Sequence, residues 1–282
     1  MFHVKHALFA GSLCIRGDCN CALLAGKSLD KDIGMRYNKC SKERWYEQMA
    51  LGKDTVRFLI VRHGESLGNA TQTFLGHSDA DLSELGYAQA RATCDYIIHH
   101  YKIDEVRSSD LKRARNTVAE VAAHFEVPLT LEVGLREIMI GKWEMMRISD
   151  IDEQYHDDFL IWKTNFGICC PTGGESAAHL RARIAEEMWR IAKENLRLSQ
   201  DKTEGRTVCI GCHAAAIRML ISEIRGVTLE DVKDIPWAPN ASVTELMYHA
   251  DGTVEEVAYG NNAFMPEKLY VKIGADGTTK KN

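Results

Sequence analysis

The sequence predicts an α/β fold in which a mostly parallel sheet is covered by helices on both faces. Two short apolar runs with several β-branched residues, Val56–Val61 and Arg206–Gly211, have the length and composition of buried strands. Stretches with the apolar period of a helix separate the strand-like runs along the chain. Strands that alternate with helices favour parallel pairing, with a layer of helices on each face of the sheet.

The elements of the first half follow one another closely. After the strand Val56–Val61, a helix is predicted from Gly86 to Tyr101, with Ser83 as its N-cap. A second strand covers Ile103–Ser108, and a helix with one apolar face covers Asp110–Phe125. This order, strand then helix twice over, is the repeating unit of a parallel sheet.

The second half continues the pattern and ends differently. A short strand is predicted at Leu129–Val133 and a long helix at Glu175–Asn195. After the strand Arg206–Gly211, residues Ala214–Ile224 form another helix. Two strands, Val243–His249 and Val254–Tyr259, flank an Asp-Gly pair that is typical of a hairpin turn. The sheet is therefore expected to end in an antiparallel hairpin.

The chain is expected to contain one catalytic domain between an N-terminal extension and a C-terminal tail. Residues 1–54 show no sustained helical or strand period and are interpreted as a poorly ordered extension, residues 55–265 as the domain, and residues 266–282 as a tail. The extension has nine Lys/Arg and six Asp/Glu, whereas the other residues have 26 and 34, a net charge of −8. A body this acidic argues against general binding of nucleic acid.

Composition also bears on compartment and metals. No apolar run approaches the roughly 20 residues of a membrane-spanning helix, and the apolar stretch Ala7–Ile15 is short and interrupted. The nine cysteines are scattered and odd in number, which is typical of reduced thiols in the cytoplasm. Their spacing does not favour a zinc site. We expect a cytoplasmic protein that needs no metal or other cofactor.

Two histidines stand directly after predicted strands. His63 follows Val56–Val61 between Arg62 and Gly64, and His213 follows Arg206–Gly211 just before the helix that opens at Ala214. In parallel sheets, ligands bind beyond the carboxyl ends of the strands. A permanent cation, a nucleophilic imidazole and a helix N-terminus together suit a phosphate group.

Several segments, in a fixed order, resemble the histidine phosphatase superfamily, whose members share the phosphoglycerate mutase-like three-layer sandwich. They begin with FLIVRHGESLGN at 58–69 and FLGHSDADLS at 74–83, and continue with SSDLKRARNT at 108–117 and LRE at 135–137. GKWE at 141–144, PTGGES at 171–176 and CIGCHAAAIR at 209–218 complete the series. One Arg-His-Gly alone would be weak evidence, but the ordered series spans most of the domain.

The resemblance implies specific roles for five residues. His63 corresponds to the nucleophile that accepts the phosphoryl group, and Glu137 to the acid that protonates the leaving oxygen. Arg62 and Arg113 correspond to the arginines that bind the phosphate oxygens, and His213 to a second histidine that donates to them. Asn69, Gly64 and Ala214 are expected to contribute to substrate binding, the last two by letting the phosphate approach the backbone.

Three residues at two places depart from the family pattern. Ala214 and Ala215 stand where glycines are usual after the second histidine, and Met145 stands where a glycine usually follows Trp-Glu. Neither change removes a catalytic group, and the alanines imply only a slightly narrower pocket.

Three functions remain open at this point. The expected activity is hydrolysis of a small phosphorylated metabolite by a monomer or homodimer, in the manner of small bacterial phosphatases such as the α-ribazole phosphatase type. Phosphoglycerate mutase-type transfer is disfavoured because residues 138–175 hold three Lys/Arg against seven Asp/Glu. A non-catalytic phosphate-binding relative is the third alternative.

Overall fold

The computed structural model describes residues 51–274 and 277–280. The predicted N-terminal extension therefore lies outside the described residues, apart from its last positions, 51–54. The expectation that it is poorly ordered stays a prediction.

Six strands of the described residues form the central sheet. They are β1 (Thr55–Arg62), β2 (Glu105–Ser108), β3 (Leu129–Leu131), β4 (Arg206–Cys212), β5 (Val243–His249) and β6 (Val254–Asn261). Their spatial order is β3-β2-β4-β1-β5-β6, with parallel pairing among the first four and an antiparallel hairpin beside β1. The predicted fold class and the terminal hairpin are confirmed.

Helices cover both faces of this sheet. Consecutive side chains of β1 alternate between two cores: Phe58 and Ile60 pack in one, and Leu59 and Val61 in the other. The α-helices of the described residues are α1 (Leu67–Thr71), α2 (Glu84–His100), α3 (Lys112–Phe125), α4 (Ile148–Gln154), α5 (His156–Thr164), α6 (Ala177–Ser199) and α7 (Ala214–Ile224). The first core includes side chains of α6 and α7, and the second includes side chains of α2 and α3.

Local capping explains most of the helix boundaries. The Ser83 side chain accepts from the Gly86 amide, which confirms the predicted N-cap of α2. Ser176 caps α6 in the same way, so this helix begins two residues later than predicted. Helix α5 escaped prediction because Leu160 and Ile161 are exposed beside buried residues, so its apolar side chains do not mark a single face.

The predicted C-terminal tail contacts the domain. The Gln89 side chain of α2 donates to the Leu269 carbonyl at 2.9 Å. Two short strands follow, β7 (Lys272–Ile273) and β8 (Thr279–Lys280), and they pair antiparallel with each other. Within the described part of the chain, no helix is both long and apolar enough to cross a membrane.

Candidate active site

The carboxyl ends of β1 and β4 bring the two predicted histidines together. The strands are neighbours in the sheet, so His63, directly after β1, lies beside His213, directly after β4. Their ring centroids are 5.3 Å apart, and both side chains are buried. The amide of His63 also donates to the Cys212 carbonyl at 3.0 Å. Adjacent parallel strands therefore join two motifs that are 150 residues apart in the sequence.

The His63 ring is held in one orientation by the backbone. Its Nδ1 lies 2.7 Å from the Gly64 carbonyl oxygen, which can only accept, so Nδ1 carries the proton and Nε2 keeps its lone pair. Burial lowers the pKa of His63 well below its ordinary 6.5, and the charges of Arg113 and Arg62 lower it further. The ring is therefore neutral at neutral pH, with a free lone pair on Nε2, the form that a nucleophile requires.

Gly64 has a different role from the predicted one. Its amide donates to Thr117 Oγ1 at 3.0 Å, and its carbonyl accepts from His63. A Cβ on Gly64 would lie 2.5 Å from the Gly86 carbonyl oxygen, so glycine is required by the close approach of α2. Gly64 does not line the cavity described below. Its contacts support positioning of His63 rather than binding of substrate.

Two arginines are buried beside His63. Arg62 Nη1 donates to the Ala238 carbonyl, while Arg113 Nη1 and Nη2 donate to the carbonyls of Ser78 (2.9 Å) and Gly76 (2.7 Å). Burial lowers the pKa of each arginine to about 10, against the attraction of Glu137. Both guanidinium groups are therefore still charged at neutral pH. Arg62 and Arg113 line one cavity together with His63 and Glu137.

Glu144 fixes the loop that holds Arg113. Its carboxylate accepts from the His77 amide at 2.8 Å, the Ser78 amide at 2.9 Å and the Ser78 hydroxyl. Gly76, in the same loop, has a φ of 49°, and a Cβ there would meet the Glu144 carboxylate. Glu144 thus holds in place the loop whose carbonyls accept from Arg113. The sequence carried a signal for it, since Glu144 belongs to the GKWE segment, but no signal for this role.

Glu137 occupies the N-terminus of α7. Its carboxylate accepts from the amides of Ala215 (3.2 Å) and Ala216 (3.3 Å), in addition to that of Ile138. The sequence predicts that these helix amides bind phosphate, but in the structure the anion at this helix end is the Glu137 side chain. The carboxylate is nevertheless part of the cavity wall, together with Ala214 and Ala215.

The cavity combines this polar floor with apolar walls. It has a volume of about 560 Å³, including its open mouth, and its lining includes Asn69 and Ala214, whose role in substrate binding stays a prediction. Asn69 also accepts from the Ser66 amide and hydroxyl, which closes a capping box at the start of α1. The apolar walls are formed by Phe74, Leu75, Ile138, Ile140, Trp162 and Trp237. Trp143 is fully buried in the core and does not line the cavity.

Sequence reasoning missed two residues that brace the nucleophile loop. Asn240 Nδ2 donates to the His63 carbonyl at 3.0 Å, and Thr117 joins the Gly64 amide to the Arg113 carbonyl through its hydroxyl. Thr117 is the last residue of the 108–117 segment that resembles the superfamily, so the sequence contained a signal for it. Asn240 lies in a loop before β5 and carries no local signal.

Some buried polar atoms in the site have no hydrogen-bond partner among the described residues. They include Arg62 Nε, which is a donor, and the two ring nitrogens of His213, of which one donates and the other accepts in a neutral ring. Burial lowers the pKa of His213 well below its ordinary 6.5, with smaller contributions from the charges of Arg113 and other neighbours, so its ring is neutral too. Within residues 51–274 and 277–280, no cluster of three or more His, Cys, Asp or Glu side chains could hold a metal ion. Metal-independent chemistry stays a prediction.

The fold is that of a known class of proteins. Residues 58–260 match the Histidine phosphatase superfamily (branch 1), and the chain belongs to that superfamily. Its relatives include an adenosylcobalamin/alpha-ribazole phosphatase of Salmonella typhimurium, 31% identical over 48% of this chain and 67% of the relative. A glucosyl-3-phosphoglycerate phosphatase of Mycolicibacterium vanbaalenii is 28% identical over 70% of this chain and 87% of its own length.

Other relatives differ in their named activity or are known as structures. A 2,3-bisphosphoglycerate-dependent phosphoglycerate mutase of Streptococcus pneumoniae is 28% identical over 64% of this chain and 88% of the relative. The solved structure titled Mycobacterial hydrolase 1 has a TM-score of 0.65 at 25% identity, covering 73% of this chain and 99% of that one. Bacillus stearothermophilus YhfR shares the fold, with a TM-score of 0.68 at 22% identity over 75% of this chain and all of its own.

Proposed function

We propose that this chain is a phosphomonoester hydrolase that forms a covalent phosphohistidine on His63, with Glu137 as general acid. The observation that carries the proposal is the group of buried donors around His63 that lack partners among the described residues, Arg62 Nε and the His213 ring. Buried polar groups are nearly always hydrogen-bonded in native proteins. A phosphate beside His63 Nε2 would supply acceptors for them, with Arg113 as a further cation.

The first step transfers the phosphoryl group to the enzyme. The lone pair of His63 Nε2 attacks phosphorus, and the bond from phosphorus to the ester oxygen breaks. Glu137, in its protonated form, gives its proton to that oxygen, and the alcohol leaves. Arg62, Arg113 and His213 stabilise the charge on the phosphoryl oxygens, which is the main demand that this reaction makes on a protein.

The second step releases phosphate and restores the enzyme. Water attacks the phosphorus of the phosphohistidine, and the ionised Glu137 carboxylate takes a proton from it. The bond between phosphorus and Nε2 breaks, and His63 returns to the neutral form that burial favours. Neither step requires a metal.

The substrate that we propose is a small phosphorylated metabolite with a partly apolar leaving group. Among the relatives named as phosphatases, one is named for adenosylcobalamin and alpha-ribazole and another for phosphoserine. The apolar cavity walls suit such a group. Mutase-type transfer remains the second candidate, because one relative carries that name.

The test is direct trapping of the phosphoenzyme. Wild-type protein, quenched in the steady state with a phosphomonoester, should carry acid-labile phosphate on His63. His63→Ala should lose both label and turnover, whereas His100→Ala, a histidine exposed on α2, should lose neither. A chelator should leave the rate unchanged.

Each alternative predicts a different result. Activity that survives in His63→Ala refutes the covalent step. If the phosphoenzyme forms but passes its phosphoryl group to a second hydroxyl compound instead of releasing free phosphate, the protein is a mutase. Phosphate binding without label or turnover would identify a non-catalytic relative.

A further inference from the structure

A second cavity shares two lining tryptophans with the cavity that contains His63. Trp162 and Trp237 line both cavities, and their rings stack with centroids 6.4 Å apart. The second cavity has a volume of about 690 Å³ including its mouth, and three cationic side chains line it: Lys163, Arg218 and Lys233. No carboxylate stands among its described lining residues.

Arg218 is the unusual member of this group. It belongs to α7, its side chain is 5% exposed, and its Nη2 donates to the Val232 and Lys233 carbonyls at 2.9 and 3.2 Å. Its Nε is buried without a hydrogen-bond partner in the described part of the chain, where Arg218 also forms no ion pair with a carboxylate. A buried charge normally has a partner of opposite charge, so this arginine is only half satisfied by the protein.

The surroundings of Arg218 orient it rather than neutralise it. Its guanidinium lies 4.2 Å from the centroid of the Trp237 ring and 5.6 Å from that of Phe166. Stacking of this kind fixes the plane of the guanidinium and leaves its edge available for an anion. Burial lowers the pKa of Arg218 to about 10, so the group is still charged at neutral pH.

The two lysines differ in how far their charge is already compensated. Lys163 forms an ion pair with Asp152 at 2.9 Å, whereas Lys233 is exposed and forms no ion pair with any described residue. Lys233 comes directly after Val232, and the backbone carbonyls of both residues accept from Arg218. The backbone segment that binds Arg218 therefore also carries the Lys233 ammonium group. None of the carboxylates of residues 138–175 is among the residues that line this cavity.

We infer that Arg218, Lys163 and Lys233 form a second anion site, which binds a carboxylate or phosphate group. A planar guanidinium fork that lines the same cavity as two ammonium groups is suited to both anions. The anion could belong to the leaving group of the substrate or to a separate molecule. The site goes beyond the proposed chemistry at His63, and its existence does not depend on that chemistry.

Binding is tested without turnover, by titrating the full chain with inorganic phosphate and following tryptophan fluorescence. The Arg113→Ala background weakens the first site, and we expect a saturable phase to persist there. Lys233→Gln should weaken that phase by roughly tenfold, and Arg218→Lys, which keeps the charge but loses the fork, by about 10- to 100-fold. Lys102→Gln, at an exposed lysine after α2, is the matched control.

A kinetic comparison separates the two sources of the anion. Lys233→Gln should leave hydrolysis of nitrophenyl phosphate unchanged. If the leaving group supplies the anion, the KM for 3-phosphoglycerate should rise while that for glycerol 3-phosphate, which lacks the carboxylate, should not. If both KM values are unchanged while the phosphate phase weakens, the ligand is a separate anion. Absence of a saturable phase in Arg113→Ala, or a phase that Lys233→Gln and Arg218→Lys leave intact, overturns the proposal.

Discussion

Glu144 offers the sharpest test of how this site is assembled, because it does not line the cavity that contains His63. Its carboxylate binds the 76–78 loop, whose carbonyls hold Arg113. Glu144→Gln preserves the volume of the side chain but removes its charge. It also places an NH₂ group, which can only donate, against backbone amides that also donate.

The size of the effect follows from those hydrogen bonds. At least one charge-assisted bond is lost, worth about 1.5–3 kcal/mol. If the whole of this loss falls on the orientation of Arg113 in the transition state, kcat/KM decreases by roughly 10- to 150-fold, at a factor of ten for about 1.4 kcal/mol. Nitrophenyl phosphate and an alkyl phosphate should be affected alike, since Arg113 is proposed to bind the phosphoryl group that they share.

The assay compares kcat/KM for both esters, the inhibition constant of inorganic phosphate, and the melting temperature. Phosphate inhibition should weaken together with kcat/KM. Glu153→Gln, the same change at an exposed glutamate of α4, is the control and should behave as wild type. An unchanged kcat/KM in folded Glu144→Gln refutes the link to Arg113, and a loss confined to the alkyl ester would mean that Glu144 acts as an acid.

Three further predictions concern the acid, the pH dependence of stability and one strained residue. Glu137→Gln should slow an alkyl phosphate by roughly 10²–10⁴-fold and nitrophenyl phosphate far less, since the phenolate needs little protonation; equal losses in kcat would contradict its role as acid. His63 and His213 have pKa values lowered in the folded state, so the unfolded chain binds more protons below pH 6.5. The free energy of unfolding, measured with urea, should therefore be retained above pH 6.5 and fall by about 1.4 kcal/mol per pH unit and per histidine below it; a constant value from pH 7 to 5 would refute the assignment. Met145 has a φ of 62°, so Met145→Gly should remove about 1–2 kcal/mol of strain and lose about 0.4–1 kcal/mol to the more flexible unfolded chain. The expected net gain of about 0 to 1.6 kcal/mol should raise the melting temperature by about 2–4 °C for each kcal/mol in a scan of both proteins, and a decrease would show that the methionine is not strained.

Met145 illustrates where sequence comparison and structure agree. The sequence marks this position only as a departure from a family glycine. The structure supplies the physical reason for the glycine, a left-handed backbone between two bonds to Phe74. Gly64 shows the reverse case. The sequence suggests an approach of substrate to the backbone, whereas the close neighbour is α2.

The role of Glu137 shows why contacts are harder to predict than positions. Its place in the site could be expected from the LRE segment alone. Its partners, the amides of Ala215 and Ala216, lie 78 and 79 residues further along the chain. No local period or turn signal reports which side chain takes the amides at a helix end.

The sequence by itself determined the α/β class, the strand that ends at His63, and the N-cap at Ser83. These features depend on apolar periodicity and on hydrogen bonds between residues a few positions apart, so a short window of sequence contains their cause. Only the tertiary structure decided which buried donors are satisfied. The hydrogen bonds that link Glu144 to Arg113 through the 76–78 loop, the burial that keeps His63 neutral and the burial of Arg218 all arise where segments distant in sequence pack together. Burial and hydrogen-bond partners are properties of that packing, and no single segment carries them.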